Sequence, residues 1–317
     1  MKLAVFGGSG VIGRVLLPEL LKVGHQIRAM QHVSSLPVKG VDVVQGSITD
    51  PEAVAATVGG AEVVMQLTKG GGGIEQTDET SVRGTLNVLD ATRASRAVTQ
   101  YLLTSSDAAT GIGAHPYPEP ISHQTEPVSY GDYYSLGKVL EETIVADYHR
   151  NHGLPYTIAR LSWTQREDLV LRHFIAGYNR DRPTSGVCSS GYSDEQRARL
   201  ESGEQFIVLP CDAAGRTLGR TLVQRQDVLA ALLAMAGNPK AVRQRFHLSG
   251  PGFNYVEPCR YLAEKVGLPV ERVTLENEYT FDIDISHTTE LLGWTPKYDV
   301  FAMIDAALAW REAKGAI

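Results

Sequence analysis

Cysteine is scarce in this sequence: Cys188, Cys211 and Cys259 are its only three, far apart and odd in number. That set argues against a disulfide framework and against a zinc site, and no metal is expected. Positive charge is not in excess either, since 30 Lys and Arg against 36 Asp and Glu leave a net charge of −6, with a pI near 5.9. A chain of that balance lacks the basic face that nucleic acid or an acidic membrane surface requires, so neither is expected as a partner. No apolar run is long enough to span a bilayer, and Met1–Phe6 enters a glycine turn with no cleavage-site pattern. It reads as a first strand rather than a signal peptide, and a reducing cytoplasm is the expected compartment. Internal repeats are lacking, and the one low-complexity patch is Gly70-Gly71-Gly72-Gly73.

What is present is an ordinary globular mixture, 43% hydrophobic and 21% charged over 317 residues, enough to bury one large core or two modest ones. The first half alternates short apolar runs with helical patterns, the rhythm of βαβ units on a parallel sheet. Strands are expected at Lys2–Phe6, Gln26–Met30, Val41–Gln45, Glu62–Leu67, Gln100–Thr104 and Tyr156–Leu161. Helices are expected from about Ser9 to Val23, and near Pro51–Val58, Asp78–Ser95 and Tyr134–Arg150. Gly24 is placed to end the first helix, and Pro18 should bend it or weaken it. After Arg160 the rhythm breaks. Residues 166–216 contain no clean βα unit, and a helix at Asp227–Ala236 and a strand at Arg245–Leu248 follow. The expected fold is therefore α/β, a Rossmann-type doubly wound parallel sheet with a smaller, interleaved C-terminal substrate region. Residues 1–165, with returning segments near 217–250, form the dinucleotide domain; 166–216 and 251–317 form the substrate region.

Gly7-Gly8-Ser9-Gly10-Val11-Ile12-Gly13 lies between the first strand and the first helix. Without side chains at 7, 10 and 13, the backbone can approach a pyrophosphate, and the loop N–H groups and helix N-terminus supply positive charge. The strand-before, helix-after context makes this a dinucleotide loop rather than a plain turn. An acidic residue ending the second strand would hold the ribose hydroxyls of NAD. Here that stretch is Arg28-Ala29-Met30-Gln31-His32, with no Asp or Glu from Gln26 to Val41. Nothing there repels a 2′-phosphate, and Gln31 and His32 become the residues at the ribose, so NADP is favoured slightly over NAD.

Tyr134 and Lys138 stand at i and i+4 on one helix face. A free phenol with a pKa of ~10 is a poor base near neutrality, and a neighbouring ammonium lowers that value. Upstream, Tyr101-Leu102-Leu103-Thr104-Ser105-Ser106 delivers hydroxyls to the C-terminal edge of the sheet, where one can bond a reacting carbonyl or alkoxide. His115, His123 and His173 sit in polar stretches and read as solvated loop residues, and Trp294 as local packing.

Taken together, these motifs resemble the extended short-chain dehydrogenase/reductases, the NAD(P)-dependent epimerase/dehydratase group. The resemblance adds Gly84-Thr85-Leu86-Asn87, Arg160, Gln226-Asp227-Val228 and Leu292-Gly293-Trp294-Thr295-Pro296, so it runs nearly end to end. It implies an NAD(P)-dependent oxidoreductase or epimerase, with Tyr134 as acid/base, Lys138 lowering its pKa and holding the nicotinamide ribose, and Ser106 orienting the substrate. It places Gly7, Ser9, Gly10, Val11, Ile12 and Gly13 at the pyrophosphate, Ser47 and Ile48 at the adenine, and Leu67, Thr68 and Leu161 along the coenzyme. For the substrate it points to Ser106, Asp107, Trp163 and Arg220, the last as a diphosphate ligand or a solvated loop arginine. The run Ser106-Asp107-Ala108 lacks the glutamate of the dehydratases, and Trp163 replaces an asparagine usual in sugar-nucleotide epimerases. The implied substrate is a small molecule: a sugar, a nucleotide sugar or a similar polyol. A net NADP-dependent ketone or aldehyde reductase and a non-catalytic dinucleotide sensor are the competing readings. The apolar spacing of Leu136, Val139, Leu140 and Ile144 fits the helix interface through which this family forms homodimers, or burial within one chain.

Overall fold

Seven short runs pair side by side into one parallel sheet in the computed structural model, which describes residues 1–70 and 72–314. Gly71 of the tetraglycine run lies outside the described residues. The strands are β1 (Lys2–Phe6), β2 (Gln26–Gln31), β3 (Val41–Gln45), β4 (Val63–Gln66), β5 (Gln100–Ser106), β6 (Tyr156–Leu161) and a last strand, Gln244–Leu248. A parallel strand covered on both faces must be apolar on both, and every residue of β4 and β5 is buried. In space β1 lies between β2 and β4, with Leu3 in register with Ile27 on one side and Val63 on the other. The chain winds outward from β1 to β3, then returns to β4 and winds the other way. Where that order reverses, the carboxyl ends of β1 and β4 open a crevice, the place where open α/β sheets bind ligands.

Helices cover both faces, as a doubly wound fold requires. On one, Leu16, Leu17 and Leu20 of the first helix (Gly13–Lys22) pack on Leu3, Val5 and Ile27, joined by Val228, Leu232 and Met235 of the Arg225–Met235 helix. On the other, Val54, Val88 and Val145 pack on Ala4, Val64 and Tyr101. They belong to the helices Pro51–Val58, Thr85–Ala94 and Tyr133–His152.

Several boundaries differ from expectation for local reasons. The first helix begins at Gly13 rather than Ser9, because Gly10 N–H bonds Gly7 O (3.0 Å) and turns the loop before the helix starts. Pro18 lies inside that helix, and Gly24, at φ +86°, ends it as a glycine there should. The helix expected from Asp78 starts at Ile74 and passes through a wider π-helical segment, Thr77–Gly84. Residues 166–216 do contribute regular structure: Phe206–Cys211 pairs parallel to Val270–Thr274 and antiparallel to Ile175–Ala176, after a helix at Asp194–Glu201.

Two junctions tie the C-terminal region to the main sheet. Thr164–Gln165 runs parallel to Val223–Gln224. The Asp227 carboxylate accepts the N–H groups of Lys297 (3.0 Å) and Tyr298 (3.1 Å), while Trp294 Nε1 donates to Asp227 O (3.0 Å). Two motifs far apart in sequence thus form one contact, with Trp294 buried in the main core. No helix among the described residues is long and apolar enough to cross a membrane.

Candidate active site

The loop after β1 is shaped by what its glycines lack. Gly7 has φ +82°, and a Cβ there would lie 2.7 Å from the Leu67 carbonyl carbon; a Cβ on Gly13 would lie 2.4 Å from Gly8 O. Both positions are closed to any larger residue. From this loop a cavity of about 960 Å³ runs across the carboxyl ends of the strands to the C-terminal region. Its walls carry Gly7, Ser9, Gly10, Val11 and Ile12, then His32, Ser47, Ile48, Leu67 and Thr68, then Ser106, Tyr134, Lys138, Leu161 and Trp163. Thr68 Oγ1 is buried there without a partner. Bare backbone at one end, a long trough and an unsatisfied hydroxyl beside it fit a dinucleotide.

At the adenine end, Asn87 Nδ2 donates to Ile48 O (3.0 Å) and fixes that wall. Gln31 turns away from the cavity: its amide bonds Gln45 Oε1 (3.0 Å) and accepts Leu36 N–H (2.8 Å). Arg28 is structural, held by Asp42 and by the carbonyls of Ala56 and Gly59. Arg14 Nε donates to Ser9 O (2.6 Å) and its Nη2 to Ser35 O (3.4 Å), which sets a cation between the glycine loop and the segment after His32.

In the middle, β5 delivers two adjacent serines with different partners. Ser105 Oγ donates to Glu142 Oε1 (2.6 Å), and Glu142 is also held by the buried Arg160 (2.8 Å), so Ser105 is committed to structure. Ser106 Oγ donates to Asp107 Oδ1 (3.0 Å) and lies close enough to Tyr134 to lower its pKa. Burial nevertheless holds the Tyr134 phenol above its ordinary value; Lys138 and Ser106 pull it down, while Asp107 and Glu141 oppose them.

Lys138 is buried, and its ammonium donates to Thr68 O (3.2 Å), Thr104 O (3.0 Å) and Glu141 Oε2 (2.8 Å). Burial alone would lower its pKa. The Glu141 carboxylate, the Tyr134 phenol and Glu142 outweigh that cost, so the lysine stays charged. Glu141 is fully buried and takes a second bond from Ser81 Oγ (2.8 Å) on the π-helical segment. A Cβ on Gly137 would sit 2.8 Å from that Ser81 hydroxyl, so the glycine between Tyr134 and Lys138 lets the two helices approach.

At the far end stand Trp163, Gln165, Arg166, Leu169, Arg172 and His173. Arg166 is held by both oxygens of Asp168 (2.9 and 2.6 Å). His173 is buried, and burial, then Arg172, lowers its pKa to about 3. Lys69 lies over the Tyr134 ring, 5.2 Å from its centroid.

Residues 3–164 match the NAD dependent epimerase/dehydratase family, half of the chain. This chain belongs to that family. Among curated relatives, UDP-glucuronic acid decarboxylase 3 of Arabidopsis thaliana is 29% identical over 231 residues, 70% of this chain and 60% of the relative. The 2-alkyl-3-oxoalkanoate reductase of Stenotrophomonas maltophilia (strain K279a) is 35% identical over 173 residues, 51% of each. The chain thus spans about half to three-fifths of the length of these relatives. A short-chain dehydrogenase/reductase superfamily protein from Agrobacterium tumefaciens with bound NAD superposes with a TM-score of 0.84 at 21% identity, covering 100% of this chain and 98% of the other. The UDP-glucuronic acid 4-epimerase of Bacillus cereus in complex with NAD gives 0.72 at 16%, covering 99% of each chain. The family is one of NAD-dependent enzymes, and its Rossmann-type fold is the one seen here.

Within this family member, most residues singled out from the sequence come together along the one cavity, and four do not. Gly13 and Gln31 act behind its wall. Asp107 is buried beneath Ser106, its Oδ2 bonded by Ser162 Oγ (2.9 Å). Arg220 is buried on the short strand Gly219–Thr221, bonded to Tyr279 O (2.8 Å) and paired with Glu278, so it is neither solvated nor on the cavity wall. His173, read as a solvated loop residue, lines the cavity instead. Gln165, Lys69 and Glu141 escaped the sequence reading. Only Glu141 left a signal there, seven residues after Tyr134 and so on the same helix face.

Proposed function

We propose that this chain is an NAD(P)-dependent oxidoreductase of the epimerase type, moving a hydride at an alcohol or ketone carbon of a sugar, nucleotide sugar or similar polyol. The observation that carries this reading is the meeting of Tyr134, Ser106 and Lys138 halfway along a cavity whose other end is the glycine loop. A bound nicotinamide coenzyme supplies the hydride donor or acceptor. The chain's own part is proton and position. Tyr134 Oη takes the proton from a substrate hydroxyl or returns it to a substrate carbonyl oxygen. Lys138, kept charged by Glu141, steadies the phenolate that forms. Ser106 turns its proton from Asp107 to the substrate oxygen as charge develops there.

NADP(H) is the preferred coenzyme in this proposal. No carboxylate ends β2, and His32 lines the cavity there, so nothing at that strand end repels a 2′-phosphate. The three cysteines are free and buried, which fits the cytoplasm as its compartment. A homodimer built on the Tyr133–His152 helix completes the reading. A net ketone reductase is the second reading. It is favoured by the reductase relative and by Arg220, whose charge is taken up by Glu278 rather than left for a diphosphate. Coenzyme content after purification separates the two, since retained coenzyme favours epimerisation and an empty site favours net redox.

The test is Tyr134→Phe with both coenzymes titrated. Dinucleotide affinity should stay within about twofold, and turnover should fall by roughly a hundredfold or more, because only the transferable proton is lost. Near-normal turnover in the variant would sink the assignment.

A further inference from the structure

Buried polar atoms without a partner are rare in folded proteins, and where they occur a ligand often completes them. Among the described residues, Thr68, Gln165 and His173 carry such atoms and line the same cavity. Thr68 lies at the coenzyme end. Gln165 and His173 lie together at the far end with Trp163. His173 leaves both ring nitrogens unpaired, and Gln165 leaves Oε1 unpaired while its Nε2 donates to Trp163 O (3.1 Å). The imidazole packs on the Trp163 ring, with centroids 5.3 Å apart.

We propose that Trp163, Gln165 and His173 form the substrate subsite of this cavity, and that it takes a neutral ring carrying adjacent hydroxyls rather than a carboxylate or phosphate. The proposal deepens the oxidoreductase reading above and rests on it. The hydrogen-bond inventory decides the chemistry. A neutral imidazole offers one donor and one acceptor, and Gln165 Oε1 offers a second acceptor. Hydroxyl groups, each donor and acceptor, match all three. A carboxylate or phosphate has no proton for the two acceptors. Burial and Arg172 keep His173 uncharged, so it brings no cation to attract an anion. Arg166 is already neutralised by Asp168, and the exposed Arg172 and Lys69, which also line the cavity, hold their charges in water, where an anion gains little from them. Trp163 offers a flat apolar surface for the C–H face of a ring. The unpaired nitrogens are closed to solvent here, so in this proposal the ligand reaches them through a turn of the imidazole about its Cβ–Cγ bond.

The experiment uses the full chain loaded with coenzyme. Thermal shift and calorimetric titration compare neutral hexoses and pentoses with their uronic acids, each free and as the UDP ester. The neutral member of each pair should bind more tightly, with an affinity level across the pH range where an ordinary histidine titrates. His173→Phe and Gln165→Leu should each weaken it by about tenfold while leaving coenzyme affinity unchanged. His173→Phe should melt no lower than wild type, since it removes two unpartnered buried atoms, so lost binding is not lost fold. Preference for the acids, unchanged affinity in both variants, or no binding of any sugar by the wild type overturns the subsite. A sugar that binds with the expected preference but is neither epimerised nor oxidised or reduced in the presence of coenzyme would defeat the oxidoreductase reading and leave the subsite standing.

Discussion

At the scale of single residues, Ser105, Ser106 and Asp107 show how partners divide work among neighbours on one strand end. Glu142 claims Ser105, which leaves Ser106 as the hydroxyl beside Tyr134, and Asp107 sits behind it as acceptor. Burial raises the Asp107 carboxyl to about 6 from an ordinary 3.8, against the hydroxyls of Ser162 and Ser106 and the Ala108 N–H, which pull it down. In the fold it therefore keeps its proton to higher pH than in the unfolded chain. Below 3.8 the group is neutral in both states. As pH rises from there to about 6, the unfolded chain ionises first and folding stability declines, a loss that persists above that window. A shift of this size is worth about 3 kcal/mol. Asp107→Asn should lack that decline and gain relative to wild type as pH rises to neutrality. Urea titrations of both proteins across that pH range check it, and parallel curves would show that Asp107 ionises freely in the fold.

At the scale of elements, the Tyr133–His152 helix places Tyr134, Lys138, Glu141 and Glu142 on its inner side, within reach of β5 and the π-helical segment. Tyr134 and Lys138 were legible in the sequence because a spacing of four fixes one helix face. Glu141 was not, since a glutamate on a helix ordinarily reads as solvated. Only the packing of Ser81 against Gly137 shows that it is buried. His173 was missed for a related reason: it lies in a short helical turn, Val170–His173, in a stretch with no periodicity to mark an inner face. Glu141→Gln tests the helix as a unit. Removing the carboxylate takes away the charge that keeps Lys138 protonated, so the phenolate loses its support, the phenol should titrate higher and alcohol oxidation should need higher pH. Lys138 loses its buried counter-ion, which should cost stability by about 3–5 kcal/mol. A pH–rate profile of the folded variant decides between roles. An unchanged profile with lower stability would make Glu141 purely structural.

At the scale of the whole molecule, the sheet and its doubly wound helices were legible because strand and helix periods repeat from Lys2 to Leu161. The glycine loop was legible because its spacing leaves no room for side chains. The pairing of Arg220 with Glu278 was not, because these residues are 58 positions apart and meet only through the fold. Among the described residues, one stripe of the Tyr133–His152 helix is left partly open to solvent. Leu136 is 39% exposed and Tyr133 48%, and Leu140 is half-buried, all on the helix whose inner side carries Tyr134 and Lys138, while Ile144 packs on the chain's own core. Burying that stripe against a second copy would remove apolar surface from water and stiffen the helix that holds Tyr134 and Lys138. Light scattering at micromolar concentration should give twice the 34.4 kDa of the chain. Leu136→Glu with Leu140→Glu should raise the dissociation constant by about a hundredfold or more, since charges would be desolvated at the interface. The monomeric variant should still bind coenzyme, because neither residue lines the cavity. Its turnover should fall more than its coenzyme affinity if docking holds Tyr134 in place. A wild type that scatters as a monomer would assign the exposed stripe to the single chain's surface and leave the Tyr133–His152 helix steadied by its inner contacts alone.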